Sequence, residues 1–246
     1  MRWITLGWVG FITENLVVSH NRDYLIHNFG DDEYHIVYNV LSTAACSSIA
    51  YGFFRYGKFG GSTLPSRGPL AHTVAFAIQA LGLAGLSQLA PALQVPVAFR
   101  SDAVQPNPVP SMSSNSLNTS QSAQQPEHKM YVRCPIDFRP KQSEDGIYGI
   151  ERITRHPALW FGALTLLGPA LVTPYMAHVS MCTFPTLFAL IGGEHQDYRY
   201  RRGSGGMLPP EVDSVTSNVP FAAFIRGKQS LQKLLDEVKW TNAALG

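Results

Sequence analysis

Five apolar runs separated by polar stretches set the plan of the chain, and their lengths predict helices that cross or enter a bilayer rather than strands. The first, 1–18, carries Trp3 and Trp8 as interfacial anchors and is followed by no small-x-small cleavage site. It reads as a membrane helix rather than a signal peptide, with no transit peptide ahead of it. Glu14 inside this run is either functional or a protonated or snorkelling group near the helix end, because a carboxylate in a span is costly. The second run, 36–54, contains Ser42, Ala44, Ala45, Ser47 and Ser48, small residues that favour close helix approach. The third, 71–93, is closed by Pro91 and Pro96. The connections at 20–34 and 55–69 are polar and rich in turn formers.

At 95–130 the pattern gives way to Pro, Ser, Asn and Gln. Such a segment cannot bury enough apolar surface to offset its ordering entropy, which predicts a mobile or partner-stabilised insert. Asn118-Thr119-Ser120 within it fits a glycosylation acceptor only on a secretory route. The following MYVRCPIDFRPKQSEDG shows no helical period and reads as a loop. It leads into GIYGIERITRHPALW, in which Arg152, Arg155 and His156 stand directly before a fourth apolar run at 158–173. Pro157 sits there in a first helical turn, where its missing N–H costs nothing. Residues 176–193 return as a fifth run, with Pro185 marking a kink or break. The stretch 194–206 is polar and basic, and 217–240 supplies an apolar plug and an amphipathic tail. In that tail Leu231, Leu234, Leu235 and Val238 have the spacing of an interfacial or docking helix.

Composition narrows the classes of function. Only 15% of residues are charged, and the mean hydropathy of −0.01 averages apolar runs with a polar middle. A net charge of +2, with no basic run interleaved with aromatics, argues against nucleic acid as a partner. Cys46, Cys134 and Cys182 are too far apart for a disulfide framework or a zinc site. GxSxG, HExxH, P-loop and GxGxxG motifs are all missing. The GSGG run at 203–206 is followed by Met207 and prolines rather than a helix, so it forms no anion cradle. Glu194 and Asp197 are either an acid/base pair or salt-bridge partners of Arg199, Arg201 and Arg202.

Alternating the runs across a bilayer brings His20, at the end of the first, to the same face as His156, at the start of the fourth, and His195, at the end of the fifth. His72 and His178 fall on the opposite face. Two imidazoles presented by different helices are suited to axial ligation of a haem iron, or else each caps a helix or pairs with lipid phosphate. The Lys/Arg distribution places the His20 face in the cytoplasm, matrix or stroma.

Three segments carry a family resemblance: GIERITRHP before a span, a span ending LFALIGGEHQDYRYR, and SNVPFAAFIRGKQ. Together with the block from Ser19 to Lys58 they resemble the membrane protein family that contains NnrU and the plastid zeta-carotene isomerase. The resemblance covers most of the chain outside the polar insert. It implies a multi-span helical membrane protein and, for the carotenoid branch, a b-type haem held by histidines whose iron assists cis-to-trans rotation of a polyene double bond. His20 and His156 match family histidines. Pro169, Pro185 and Thr186 stand where the isomerase branch has further histidines, which puts isomerase activity in question while leaving one bis-histidine site.

The expectation is an all-α polytopic membrane bundle of about five spans. Its parts are three helices in 1–94, an insert and loop in 95–145, an NnrU-like portion in 146–226, and a tail in 227–246. The candidate site comprises His20 and His156 as ligands of haem b, with Arg152 and Arg155 as partners for propionate or lipid phosphate. If the chain is an enzyme, it is a haem-dependent cis–trans isomerase. The competing expectation is a non-catalytic accessory subunit of a respiratory or photosynthetic membrane complex, with the insert and tail as partner-binding extensions. A transporter with Glu14 as proton site lacks the internal repeat that would support it. The lipid bilayer is the expected partner and an organellar inner membrane, mitochondrial or plastid, the expected location, with a bacterial inner membrane as the alternative.

Overall fold

A computed structural model of the chain describes residues 2–58, 62–93, 97–100, 129–132, 136–137, 143 and 145–245, with side chains described outside 97–100, 129–132 and 136–137. The described chain is predominantly helical, as the apolar runs require. Residues 1–90 and 139–246 form one compact unit, and 91–138 form another. The glycosylation acceptor, Cys134 and most of the polar insert lie outside the described residues.

In the larger unit the long helices are α1 (Arg2–His20), α3 (Asp31–Gly52, continued by a π-helical turn at Phe53–Gly57), α4 (Pro69–Ser87), α5 (Pro157–Val172) and α6 (Met176–Arg201). Packing follows the order α3, α1, α6, α5, α4. Ile4, Ile49 and Ala177 form the core between α1, α3 and α6. The closest helix approach is between α4 and α5, where a Cβ on Gly85 would strike the Phe161 ring and one on Gly168 would meet the Ala75 carbonyl oxygen. Against α1, Gly52 lies beneath Trp3, while Trp3 Nε1 donates to the Ser48 carbonyl at 3.0 Å.

Among the described residues three helical stretches are long and apolar enough to cross a membrane: Asp31–Gly57, Pro69–Ser87 and Met176–Arg201. The other two runs fall short of the five-span expectation for separate reasons. The 16-residue α5 is about 24 Å long, less than a hydrocarbon core. Helix α1 has 19 residues but carries Glu14, Asn15 and Ser19. Large apolar side chains face outward on this unit, Phe76 at 74% and Leu6 at 69% exposure among them.

The connections hold more structure than the polarity pattern predicts. Residues 22–29 form α2 (Arg22–Phe29), and Gly30, at φ 105°, turns the chain into α3. The acidic set Asp31, Asp32 and Glu33 occupies the first turn of α3, where the helix dipole favours negative charge. The third run is helical only to Ser87. Beyond it β1 (Ala92–Leu93) pairs with β4 (Ile136–Asp137), and β2 (Val97–Arg100) pairs with β3 (Lys129–Val132), both antiparallel, so the stretch read as a loop supplies two strands. Helix α6 runs unbroken through Pro185 and eight residues past the expected end. Its last turns place Gly193 and Asp197 inward at a spacing of four.

After α6 come α7 (Pro210–Val215) and α8 (Ala222–Ile225), and the tail consists of α9 (Leu231–Glu237) and α10 (Trp240–Leu245). It docks onto its own chain. Leu234 is buried with Ile150, Ile153 and Phe161, and Val238, Phe221 and Phe224 pack around that cluster. Gln88, at the end of α4, accepts from the Lys239 backbone N–H at 2.8 Å and donates to the Lys239 carbonyl at 3.2 Å, which fixes the start of α10.

Candidate functional site

The segment Ile153-Thr154-Arg155-His156 is clamped along its backbone by the apolar plug. The Arg155 N–H donates to Ser217 O at 3.0 Å and the Phe221 N–H to Ile153 O at 3.0 Å. Thr154 Oγ1 donates to Asn218 O at 2.5 Å and accepts from the His156 N–H at 3.2 Å, which fixes His156 as the residue before α5. Asn218 in turn accepts from Trp160 Nε1 at 2.9 Å and donates to Leu190 O at 3.0 Å, tying α5 to α6. Phe221 adopts φ 62°, a left-handed conformation unusual for a bulky residue, held by this hydrogen bonding and by its packing.

The charged side chains of the motif close the same clamp. Asp197, 1% exposed, offers one carboxylate oxygen to Arg155 Nη2 at 2.7 Å and the other to His156 Nε2 at 2.8 Å. An ion-paired carboxylate accepts only, so His156 carries its proton on Nε2. Arg155 Nη1 reaches Asp213 at 2.5 Å, and Arg201 donates to the two Asp213 oxygens at 2.8 and 3.0 Å. Arg201 and Arg155 together hold the Asp213 carboxyl below its usual range. A cavity of about 330 Å³ lies beside this group, bounded by His156, Tyr200 and Leu208.

Arg152 forms a second ionic knot. It is 1% exposed. Its Nε and Nη2 bind the two oxygens of Glu237, each at 2.7 Å, while Nη1 and Nη2 bind Asp145 at 2.9 and 3.1 Å and Nη1 meets Gln229 Oε1 at 3.0 Å. This bidentate grip holds the Asp145 carboxyl well below its ordinary value and lowers that of Glu237, aided at Glu237 by the Gly149 N–H at 2.7 Å. The guanidinium is held correspondingly above its own.

His20 lies elsewhere. Its ring stands 5.8 Å from that of His195 and stacks on Tyr198 at 6.3 Å and 7°. His178, in the first turn of α6, contacts Phe53 and Tyr175 at the opposite end of that helix, so the alternation of the histidines between the two ends holds. The proposed pair, however, is not brought face to face. His20 addresses the side of α6 bearing His195 and Tyr198, whereas His156 is bound to Asp197, and His195 and Asp197 lie about 200° apart around the helix. An axial pair needs two imidazoles opposed across one iron with a free nitrogen each. The two imidazoles are therefore not opposed across a common space in this arrangement, and the guanidiniums of Arg152 and Arg155 are engaged by the chain's own carboxylates. Among the described residues no group of three or more His, Cys, Asp or Glu could hold a metal ion. Glu194 pairs with Arg201 at 3.4 Å, as one of the two sequence readings has it, but Asp197 pairs with Arg155 and His156 instead of the arginines near it in sequence.

A larger cavity of about 760 Å³ opens between α1, α3 and α6. Asn15, Tyr38 and Ser42 line one wall. Tyr38 Oη donates to Asn15 Oδ1, Asn15 Nδ2 donates to Glu14 at 2.9 Å, and Ser42 Oγ donates to Glu14 at 3.2 Å. Glu14, singled out on its own in the sequence, is thus one member of an α1–α3 polar ladder. The signal that could have found this wall is the i, i+4 recurrence of polar residues at Tyr34, Tyr38 and Ser42.

The fold and the site together define a helical chain with three helices suited to a bilayer, a motif locked by its own carboxylates, and a separate inter-helix cavity. No protein family, curated protein or solved structure matches it.

Proposed function

We propose that this chain is a polytopic membrane protein of NnrU-like architecture, with α1, α3, α4, α5 and α6 in the bilayer, and that it serves as a non-catalytic accessory component of a larger respiratory or photosynthetic membrane complex in an organellar inner membrane. The observation that carries the non-catalytic reading is the use made of the RITRHP segment. Arg152, Arg155 and His156 all bind carboxylates of the same chain, His156 through Nε2 and the two arginines through their guanidiniums. Their chemistry is architectural: they fasten 213–237 across the mouth of α5 and α6. The five-span reading is supported by α1, which packs between two of the long apolar helices, and by α5, which does the same. Partner contact falls on outward apolar residues that the docked tail leaves uncovered, such as Leu231, Trp240 and Leu245.

The test is the optical spectrum of the detergent-purified protein, oxidised and dithionite-reduced, alongside native electrophoresis of the membranes it comes from. The expected result is a folded protein without a b-type band that migrates in a complex far larger than 27.0 kDa. A sharp reduced b-type band, abolished by His20→Ala or His156→Ala, would overturn the accessory reading in favour of a haem enzyme.

A further inference from the structure

We propose that the cavity between α1, α3 and α6 binds one anionic phospholipid, its phosphate between Arg22 and Arg199 and its acyl part along Phe11, Leu16 and Phe188. This goes beyond the accessory reading and depends on none of the motif residues.

The helices set a polar-to-apolar gradient along the cavity. Helix α1 contributes Phe11, Leu16 and Ser19 in ascending order before Arg22 follows, and α6 contributes Phe188, His195 and Arg199 in parallel with it. Phe11 and Phe188 meet at 5.1 Å between ring centroids, and Arg22 and Arg199 stand at the other end. An elongated space with two cations at one end and aromatic side chains at the other matches an amphiphile with an anionic head.

The two arginines at the head end are not equally partnered. Among the described residues Arg199 makes no ion pair with a carboxylate. Its partners are two backbone carbonyls, Ser19 at 3.2 Å and Ser204 at 3.5 Å, and its Nε–H is buried with no acceptor. Arg22 has Asp31 at 3.3 Å and Asp23 at 3.8 Å, both well exposed. His35 and His195 also border the cavity. The carboxylate of the polar wall, Glu14, lies within α1 and is engaged there by Asn15 and Ser42.

Both guanidiniums converge on one spot. A Cβ added to Gly205 would stand 2.8 Å from Arg199 Nη2 and 3.2 Å from Arg22 Nε. Two cations drawn to the same point repel unless an anion lies between them, and a phosphate offers oxygens to both at once. The GSGG run therefore contributes a bare surface against which two arginines close, rather than a helix-opening cradle.

The experiment uses full-length protein stripped of lipid in mild detergent. Phosphatidylglycerol, phosphatidylcholine of the same acyl chains, oleate and inorganic phosphate are offered separately, and binding is read by native mass spectrometry. The expected result is one phosphatidylglycerol per chain, preferred about tenfold over phosphatidylcholine, with Arg199→Gln weakening it about tenfold through loss of charge-assisted hydrogen bonds. Arg22→Gln weakens it less, because Asp31 and Asp23 already share that charge. Should Arg199→Gln fail to fold, Arg199→Lys carries the test: it keeps the charge, loses the fork, and binds several-fold more weakly than wild type. Unchanged phosphatidylglycerol binding by whichever of these variants is folded would overturn the proposal, as would equal binding of phosphatidylcholine. Oleate or inorganic phosphate binding as tightly as phosphatidylglycerol would overturn the assignment to a phospholipid.

Discussion

The clamp around Arg152, Arg155 and His156 and the cavity between α1, α3 and α6 are built from the same materials, arginine, histidine and aromatic side chains at the ends of helices, yet they are opposites. In the clamp cationic groups meet carboxylates at 2.5 to 3.1 Å, and Arg155 Nε is its one unmatched donor. In the cavity the arginine nearest the apolar interior has, among the described residues, carbonyl oxygens rather than carboxylates as its hydrogen-bond partners. A network satisfied by its own chain specifies a structure, whereas one left incomplete is a place for something else to bind. Possession of conspicuous polar residues therefore does not distinguish a site from a strut. The accounting of their partners does.

The comparison is broken most forcefully at Arg152. Replacing it with Met keeps much of the side-chain volume but leaves Glu237 and Asp145 without their counter-charge. Removing one partner of a buried pair costs about 3–5 kcal/mol, and the one-third exposure of Asp145 argues for the lower end, about 3 kcal/mol. Chemical unfolding in detergent measures this. A loss below about 1 kcal/mol would remove the clamp from the list of structural determinants. Asp197→Asn comes next, expected to cost about 2 kcal/mol, since the charge leaves but an acceptor for Arg155 or His156 remains.

Acid provides a test without mutation. Asp145, Glu237 and Asp213 all titrate below their ordinary values in the folded chain, so the stability they confer is complete above the ordinary values of 3.8 to 4.5 and is lost as the pH falls through and below that range. Melting temperature should therefore hold from pH 7 to about 5 and then decline. Arg152→Met should show a shallower decline, because two of the three carboxyls have already lost the cation that lowers them. An identical acid profile for the variant would locate the acid-sensitive contacts outside the clamp.

How far the sequence anticipated these two regions depends on the range of the forces involved. The five apolar runs were legible because length and apolarity act locally, and the start of α5 was legible because Pro157 fits a first turn. The histidines were assigned to helix ends correctly, since strict alternation of helices fixes which ends share a side. The partners were not legible. Glu237 lies 85 residues from Arg152 and Asp213 lies 58 from Arg155, distances at which no local pattern operates. For His156 the sequence offered a helix end and a plausible ligand, but the group it binds, Asp197, was assigned to the arginines beside it on α6. The fifth run was read across Pro185 with a kink or break there, whereas α6 runs unbroken through it, which packed neighbours tolerate; the eight residues of α6 past 193 were hidden because they are polar and charged. Helix α2 was hidden by polarity, in a segment whose apolar content is too low to signal a helix.

The smallest effect sharpens the contrast from the other side. Arg199→Gln should change stability by no more than about 0.5 kcal/mol, the range of substitutions that break no defined structural contact. The side chain gives up a carbonyl contact at 3.5 Å, at the limit of a hydrogen bond, and a ring contact with Tyr200 at 5.9 Å, at the limit of cation–π attraction. It also gives up the hydrogen bond to Ser19 O but removes the buried Nε–H that has no acceptor, and the two changes offset one another. Measured under the same conditions as Arg152→Met, near-neutrality would mean that this arginine is not required to hold α1 and α6 together. A loss approaching that of Arg152 would instead make Arg199 a strut, and the two regions would differ in degree rather than in kind.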